Sequence, residues 1–216
     1  MPDAPVHPSI QRVLDAAARK GVTLEVTTFD ESTHTAAEAA AALGSDLGQI
    51  VKSLVFVVPT TDGPEPMLCL VAGHNRVDLA RLAAVTGAAD VRRASAREVH
   101  DLTGFAIGGV PPIGHSRPVR AIMDPDLGRY PVVWAAAGLS TAVFPVPPAT
   151  LRTLSNATVA PIAEERSAAD REAAAATATA AAAATATPAT PATAAAPGTP
   201  GTPIAPTTPA APATGA

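Results

Sequence analysis

Apolar positions along the chain switch repeatedly between a helical and an extended rhythm. From Ser9 to Arg19, Ile10, Val13, Leu14 and Ala17 recur at helical spacing, with Gly21 as a stop. Thr23 to Phe29 alternates as a strand does. Thr35-Ala36-Ala37-Glu38 is a capping-box pattern that predicts an alanine-rich helix ending near Gly44. Asp46 is placed to cap a short turn before Gln49 to Val58, a nearly continuous β-branched run that predicts a buried strand. Thr60 to Pro66 is rich in turn formers, and Met67 to Ala72 reads as the returning strand of a hairpin. Asp78 predicts a helix through Val85 closed by Gly87, and Ser95-Ala96-Arg97-Glu98 a second capping box with a helix to about Leu102. Val119 to Met123, Val132 to Ala136 and Ala142 to Val146 predict strands, and Pro148 to Leu154 a short helix with proline in its first turn.

Strands and helices are interspersed, but several strands are joined by short turns. The expected class is mixed α/β (α+β), with a central mixed, largely antiparallel sheet flanked by helices. A doubly wound parallel fold is not expected, and no GxGxxG or P-loop pattern follows a strand.

Composition divides the chain in two. From about Ser167 it becomes Ala, Thr and Pro, and Ala173 to Ala216 holds no charged residue and no aromatic. Methyl groups alone offer too little burial to offset the entropy of ordering. Residues 5–163 are therefore expected to form the folded unit, and residues 167–216 a disordered C-terminal tail. Fifteen acidic against thirteen basic residues in 1–163 argue against a broad basic surface for long nucleic acid, DNA included. Local contact with an RNA end remains compatible. One cysteine, Cys69, excludes an intramolecular disulfide, and scattered histidines give no zinc-ligand spacing. With no charged-then-apolar leader and no run long enough to span a membrane, the expected location is cytoplasmic.

Two segments carry candidate chemistry. Lys52, one of only two lysines, interrupts the predicted buried strand. A charge there is costly unless it is paired or faces a cleft, and an ammonium that keeps its charge anchors phosphate or carboxylate. The second segment is Gly104-Phe105-Ala106-Ile107-Gly108-Gly109-Val110-Pro111-Pro112-Ile113-Gly114-His115. Its paired glycines allow close backbone approach, and its prolines stiffen it. Such a loop suits the presentation of peptide groups to a reacting centre; a purely structural crossover is the competing reading.

Taken together, these segments resemble the YbaK/prolyl-tRNA synthetase-associated family of aminoacyl-tRNA deacylases. The resembling residues are Thr35 to Ala40, Gln49 to Phe56, Gly73 to Leu82, Gly108 to Gly114 and, more weakly, Trp134 to Gly138. The likeness runs in consistent order over about residues 8 to 155. It implies a partly barrel-like sheet and trans-editing, the hydrolysis of the ester joining a wrong amino acid to the 3′-terminal adenosine of tRNA. It implies no metal and no organic cofactor. Lys52 matches the motif lysine, taken to anchor the terminal phosphate, and Gly108 and Pro112 match a GxxxP loop whose backbone positions the ester.

The resemblance makes Lys52 and Gly108 the catalytic candidates, with Gly109, Val110 and Pro112 binding substrate. His34, His74, Arg76 and His115 are further substrate-binding candidates. Each has a plainer alternative: a helix-cap position for His34, loop hydrogen bonding for His74, a salt bridge for Arg76 and loop closure for His115. Expected partners are the tRNA acceptor end and an aminoacyl-tRNA synthetase. Two departures stand out: Ala136-Ala137-Gly138 replaces a serine-glycine-glycine turn of some relatives, and Val143 lies near the position of an acidic residue. They motivate a second reading, a non-catalytic module that binds tRNA, a nucleotide or a synthetase. A general esterase is the weakest alternative, because no serine has nucleophile-elbow context.

Overall fold

The computed structural model describes residues 6–29, 35–61, 63–88 and 90–165. The predicted tail, residues 167–216, and the candidate His34 lie outside the described residues.

The elements run α1 (Pro8–Ala18), β1 (Thr27–Thr28), α2 (Ala36–Leu43), β2 (Val51–Thr60), β3 (Gly63–Ala72), α3 (Leu79–Thr86), β4 (Arg92–Arg93), α4 (Ala96–Thr103), β5 (Arg120–Met123), β6 (Val133–Ala136), β7 (Ala142–Val146), α5 (Pro148–Ser155) and β8 (Thr158–Val159). Local chemistry sets the helix starts. Thr35 and Ser95 each close a reciprocal capping box, with Glu38 and Glu98 respectively. Such caps satisfy backbone donors that the first turn leaves open and contribute about 1 kcal/mol each. Asp46 caps the 3-10 turn Leu47–Gln49 in the same way, and Asp124 caps a second one, Pro125–Arg129.

The expected single, partly barrel-like sheet is instead two sheets. One has five strands in the order β4-β2-β3-β5-β8, and the other has three in the order β1-β7-β6. The pairings β2–β3, β2–β4, β6–β7 and β1–β7 are antiparallel, while β3–β5 and β5–β8 are parallel. A parallel bridge, Ile50–Trp134, links the two sheets, and beside it the Gln49 side chain donates to the Val132 carbonyl at 3.0 Å. The mixed, largely antiparallel expectation therefore holds within two smaller sheets.

The β2–β3 hairpin is the spine. It pairs from Val51–Ala72 to Thr60–Gly63 and leaves a much tighter connection than the predicted turn over Thr60 to Pro66. Both its faces are buried, which explains the unbroken apolar runs. Val51, Val55, Leu68 and Leu70 pack against α1, β6–β7 and α5 through Val13, Ala135, Phe144 and Leu151. Phe56, Val58, Met67 and Cys69 pack against Leu82 and Ile162. The predicted strand from Thr23 contracts to Thr27–Thr28: Val22, Leu24 and Val26 pack on the core without joining the ladder. Among the described residues no helix is long and apolar enough to cross a membrane.

Candidate active site at the free edge of strand β2

Strand β2 is covered unequally on its two edges. On one side β3 pairs with all ten of its residues. On the other, β4 pairs only with Phe56 and Val57, and Ala94 N–H donates to the Val55 carbonyl at 3.0 Å. Peptide groups of an antiparallel strand face the same edge at every second residue. The Val55 carbonyl thus marks the edge to which the N–H and C=O of Ser53 also point, past the end of β4. That stretch opens into a cleft of about 330 Å³.

The cleft wall joins distant parts of the chain. Lys52, Ser53 and Val55 come from β2, Arg93 from β4, Ile107, Gly108 and Val110 from the glycine loop, and Trp134, Ala136, Ser140 and Val143 from β6–β7. Thr35 and Ala36 at the start of α2 complete it. Most of this lining is apolar or small. Ser53 Oγ lies buried beneath it with no hydrogen-bond partner among the described residues.

Lys52 is half-buried on the face of β2 that carries Leu54 and Phe56. Its ammonium donates to the Asn75 carbonyl. Burial lowers its pKa below the ordinary 10.5, and the charges of Arg76 and Arg93 lower it further. Among the described residues no carboxylate forms an ion pair with any of these three cations. Asn75 itself is buried, and its side-chain amide donates to Asp126 at 2.9 Å, which fixes the carbonyl that Lys52 uses.

The glycine loop turns at its cleft end. Gly109 N–H donates to the Ala106 carbonyl at 3.1 Å, and Gly108 at the third position has φ of 90°. A positive φ there is the mark of a type II turn and favours glycine. The turn places the Ile107–Gly108 peptide at its tip, with the Ile107 side chain 56% exposed over the cleft. Gly109 is buried under the turn against Leu139: an added Cβ would lie 2.7 Å from the Leu139 carbonyl carbon and 2.8 Å from its Cα. The loop is thereby docked, backbone to backbone, on the β6–β7 connection. Behind it, His115 Nε2–H donates to the Pro111 carbonyl at 2.8 Å, and its ring meets Phe105 edge-on at 6.1 Å. The Arg12 guanidinium stacks over the same Phe105 ring, 4.0 Å from its centroid. Burial holds the His115 pKa below its usual value, so the ring is neutral near pH 7.

Of the residues singled out in the sequence, Lys52, Gly108 and Val110 meet in the cleft wall. Gly109 and His115 lie behind it, packed on Leu139 and bonded to the Pro111 carbonyl respectively, and Pro112 is buried in the same loop. Arg76 is exposed outside the wall, close enough for its charge to act on Lys52. His74 is half-buried beside Gly48, where a Cβ would come within 2.7 Å of its ring, and it does not line the cleft. Ser53, Arg93, Trp134 and Ser140 were not singled out, because their approach depends on strand register and loop docking. The adjacent pair Arg92-Arg93 is the one local signal.

A cationic side chain beside a strand edge and a turn of peptide groups is an arrangement suited to an anionic ligand and to polarising a carbonyl, which makes this cleft the candidate active site. The chain belongs to the aminoacyl-tRNA editing domain family, whose sequence profile matches residues 30–154, more than half of its length. A curated relative from Escherichia coli K12, the multifunctional Ser/Thr-tRNA deacylase ProXp-y, is 29% identical over 117 residues, 54% of this chain and 70% of that one. Another from Enterococcus faecalis, named "Putative Cys-tRNA(Pro)/Cys-tRNA(Cys) deacylase EbsC", is 28% identical over 130 residues, 60% of this chain and 77% of that one. A crystal structure titled as "a putative trans-editing enzyme for prolyl tRNA synthetase" superposes with a TM-score of 0.68 at 46% identity, covering 74% of this chain and all of that one. The protein is thus an aminoacyl-tRNA deacylase by class, an ester hydrolase with tRNA as substrate.

Proposed function

We propose that this cleft edits in trans, cleaving the ester between a wrongly attached amino acid and the 3′-terminal adenosine of a tRNA already released by its synthetase. The observation that carries the proposal is the meeting of Lys52 with the Gly108 turn in one cleft, although they stand 56 positions apart in the sequence. Lys52 holds the phosphate of the terminal nucleotide. The peptide at the Gly108 corner orients the ester carbonyl and stabilises the oxyanion that forms on it. Water adds to the carbonyl carbon, the bond to the ribose oxygen breaks, and that oxygen takes up the proton. An aminoacyl ester is already activated, so positioning and backbone donors supply much of the acceleration. Gly109 and Pro112 hold the turn in place, and His115 locks it from behind. His74 and Arg76 support the Lys52 end.

The aminoacyl side chain faces Ile107, Val110, Ala136 and Val143. These walls favour a small, uncharged group. Apolar pockets separate near-isosteres by only about 1–3 kcal/mol per methylene, so several small amino acids share the site. A prolyl-tRNA synthetase is the proposed source of mischarged tRNA, and the cytoplasm the proposed place of action.

The test is hydrolysis of a panel of mischarged tRNAs by the wild-type chain and by Lys52→Ala. Ester loss on a few species, abolished in the variant, is the expected result. Lys52-dependent tRNA binding without turnover on any species would replace the hydrolase with a binding module, in line with the departures at Ala136 and Val143.

A further inference from the structure

Two neighbouring arginines of β4 have different surroundings. Arg92 is spent on Glu98, with two contacts of 2.6 and 3.0 Å that leave its charge matched. Arg93 has no carboxylate partner among the described residues, is exposed, and lines the cleft. Register gives its direction. Arg93 stands opposite Phe56, and residues opposite each other in an antiparallel pair share a face. Lys52 is four residues from Phe56, and side chains alternate with period two, so Lys52 and Arg93 lie on the same face. Four residues of strand span about 13 Å, which sets the scale along the cleft rim on which the two cations are planted. Arg76 adds a third positive charge near Lys52.

An unmatched cationic group is unexpected in a chain of net charge −4. Its members repel one another, and Lys52 is partly desolvated besides, so the arrangement opposes folding. Local sequence rules are broken in this way where a ligand repays the cost. The acidic remainder of the surface limits the attraction to this one place and disfavours a long RNA track.

Resting on the functional reading above, we propose that Arg93 is a second phosphate-binding residue, taking the backbone phosphate upstream of the one held by Lys52. The recognised unit is then a single-stranded RNA end with at least two consecutive phosphates, not an isolated aminoacyl-nucleotide. Arginine suits this position because its planar fork matches phosphate oxygens in pairs.

The experiment compares two minimal substrates carrying the same aminoacyl ester. One is the dinucleotide CA, with a single internucleotide phosphate, and the other the trinucleotide CCA, with two. Wild type, Arg93→Gln, Arg93→Lys and Arg92→Gln are assayed for kcat/KM, and their folding is checked by urea unfolding. Arg93→Gln is expected to lose about tenfold on CCA and nothing on CA. Its log–log salt dependence on CCA should flatten by about 0.7, the value of one phosphate contact on a single strand. Arg93→Lys should recover part of the loss, and Arg92→Gln should match wild type. Equal activity of Arg93→Gln and wild type on CCA overturns the proposal. Equal losses on CA and CCA overturn it too, by placing Arg93 on the same phosphate as Lys52. Wild type inert on both substrates and on mischarged tRNA would instead remove the functional reading, and this inference with it.

Discussion

Replacing Gly109 with alanine tests whether the Gly108 turn is held by its backbone contact with Leu139. The new methyl would meet three Leu139 backbone atoms, the carbonyl carbon, Cα and N, at 2.7, 2.8 and 2.9 Å. Carbon atoms in good contact stand about 3.5 Å apart or more, so one backbone must retreat by roughly 0.8 Å. No flexible side-chain end is available to absorb the shift. Overpacking of this kind costs about 1–3 kcal/mol. Gly109 is not among the positive-φ residues, so the effect is steric and not conformational. Its neighbours Gly108 and Val110 line the cleft, and a displacement near 1 Å in a positioning group costs about a hundredfold in rate. Urea unfolding should show a lower midpoint at unchanged slope, and deacylation by the fully folded variant should fall by about two orders of magnitude. Gly128→Ala is the control, since its Cβ meets nothing within 4 Å and its φ is not positive. It should stay within about 0.5 kcal/mol of wild type and keep full activity. If Gly109→Ala loses stability but retains its rate, the turn's placement does not matter to the chemistry. If it loses neither, the loop is not docked closely on Leu139.

Lys52→Met should abolish hydrolysis yet unfold within about 1 kcal/mol of wild type at pH 7, because it removes a desolvated, repelled charge along with the bond to Asn75. With the folded pKa of Lys52 below the ordinary 10.5, the unfolded chain binds more protons between the two values. Wild-type stability therefore gains a contribution as pH rises through that window, and urea titrations of Lys52→Met should lack it. His115 behaves likewise at acid pH: its folded pKa lies below 6.5, so the stability it contributes above 6.5 is lost as pH falls through the folded value. His115→Gln, which keeps a donor for Pro111, should flatten that acid limb in thermal melts. Cys69 is fully buried with its thiol pushed up to about 12, so a thiol reagent at pH 8 should label it only at the rate of unfolding.

Features written in neighbouring residues were legible in the sequence. The capping boxes at Thr35 and Ser95 are reciprocal bonds within four residues, and both form as read. The β2 run was legible because both faces of the hairpin are buried, which leaves no polar alternation to confuse it with a surface strand. Strands β4 and β8 were not: each is two exposed residues long, and each exists only because a neighbouring strand offers an edge. Val22, Leu24 and Val26 show the converse, an alternation that reports burial correctly while the chain stays off the ladder. For the site, Lys52 stood out as a charge in an apolar run, and Gly108 through the paired glycines of its loop. Arg93, Ser53, Trp134 and Ser140 did not, because what brings them to the cleft is the early end of β4 and the contact between Gly109 and Leu139. Neither is a property of any short segment.

Trp134 is the only tryptophan in the chain, and it stands in the cleft wall beside the bridge that joins the two sheets. The protein therefore carries an intrinsic optical reporter in the wall of the candidate cleft. Emission excited at the indole band comes from this one residue and from no distant site. On the proposed function, a nucleotide entering the cleft would change the polarity around that ring or quench it by stacking. Occupancy can be followed by fluorescence in unlabelled protein, in variants that no longer turn over, and before the substrate's amino acid is known.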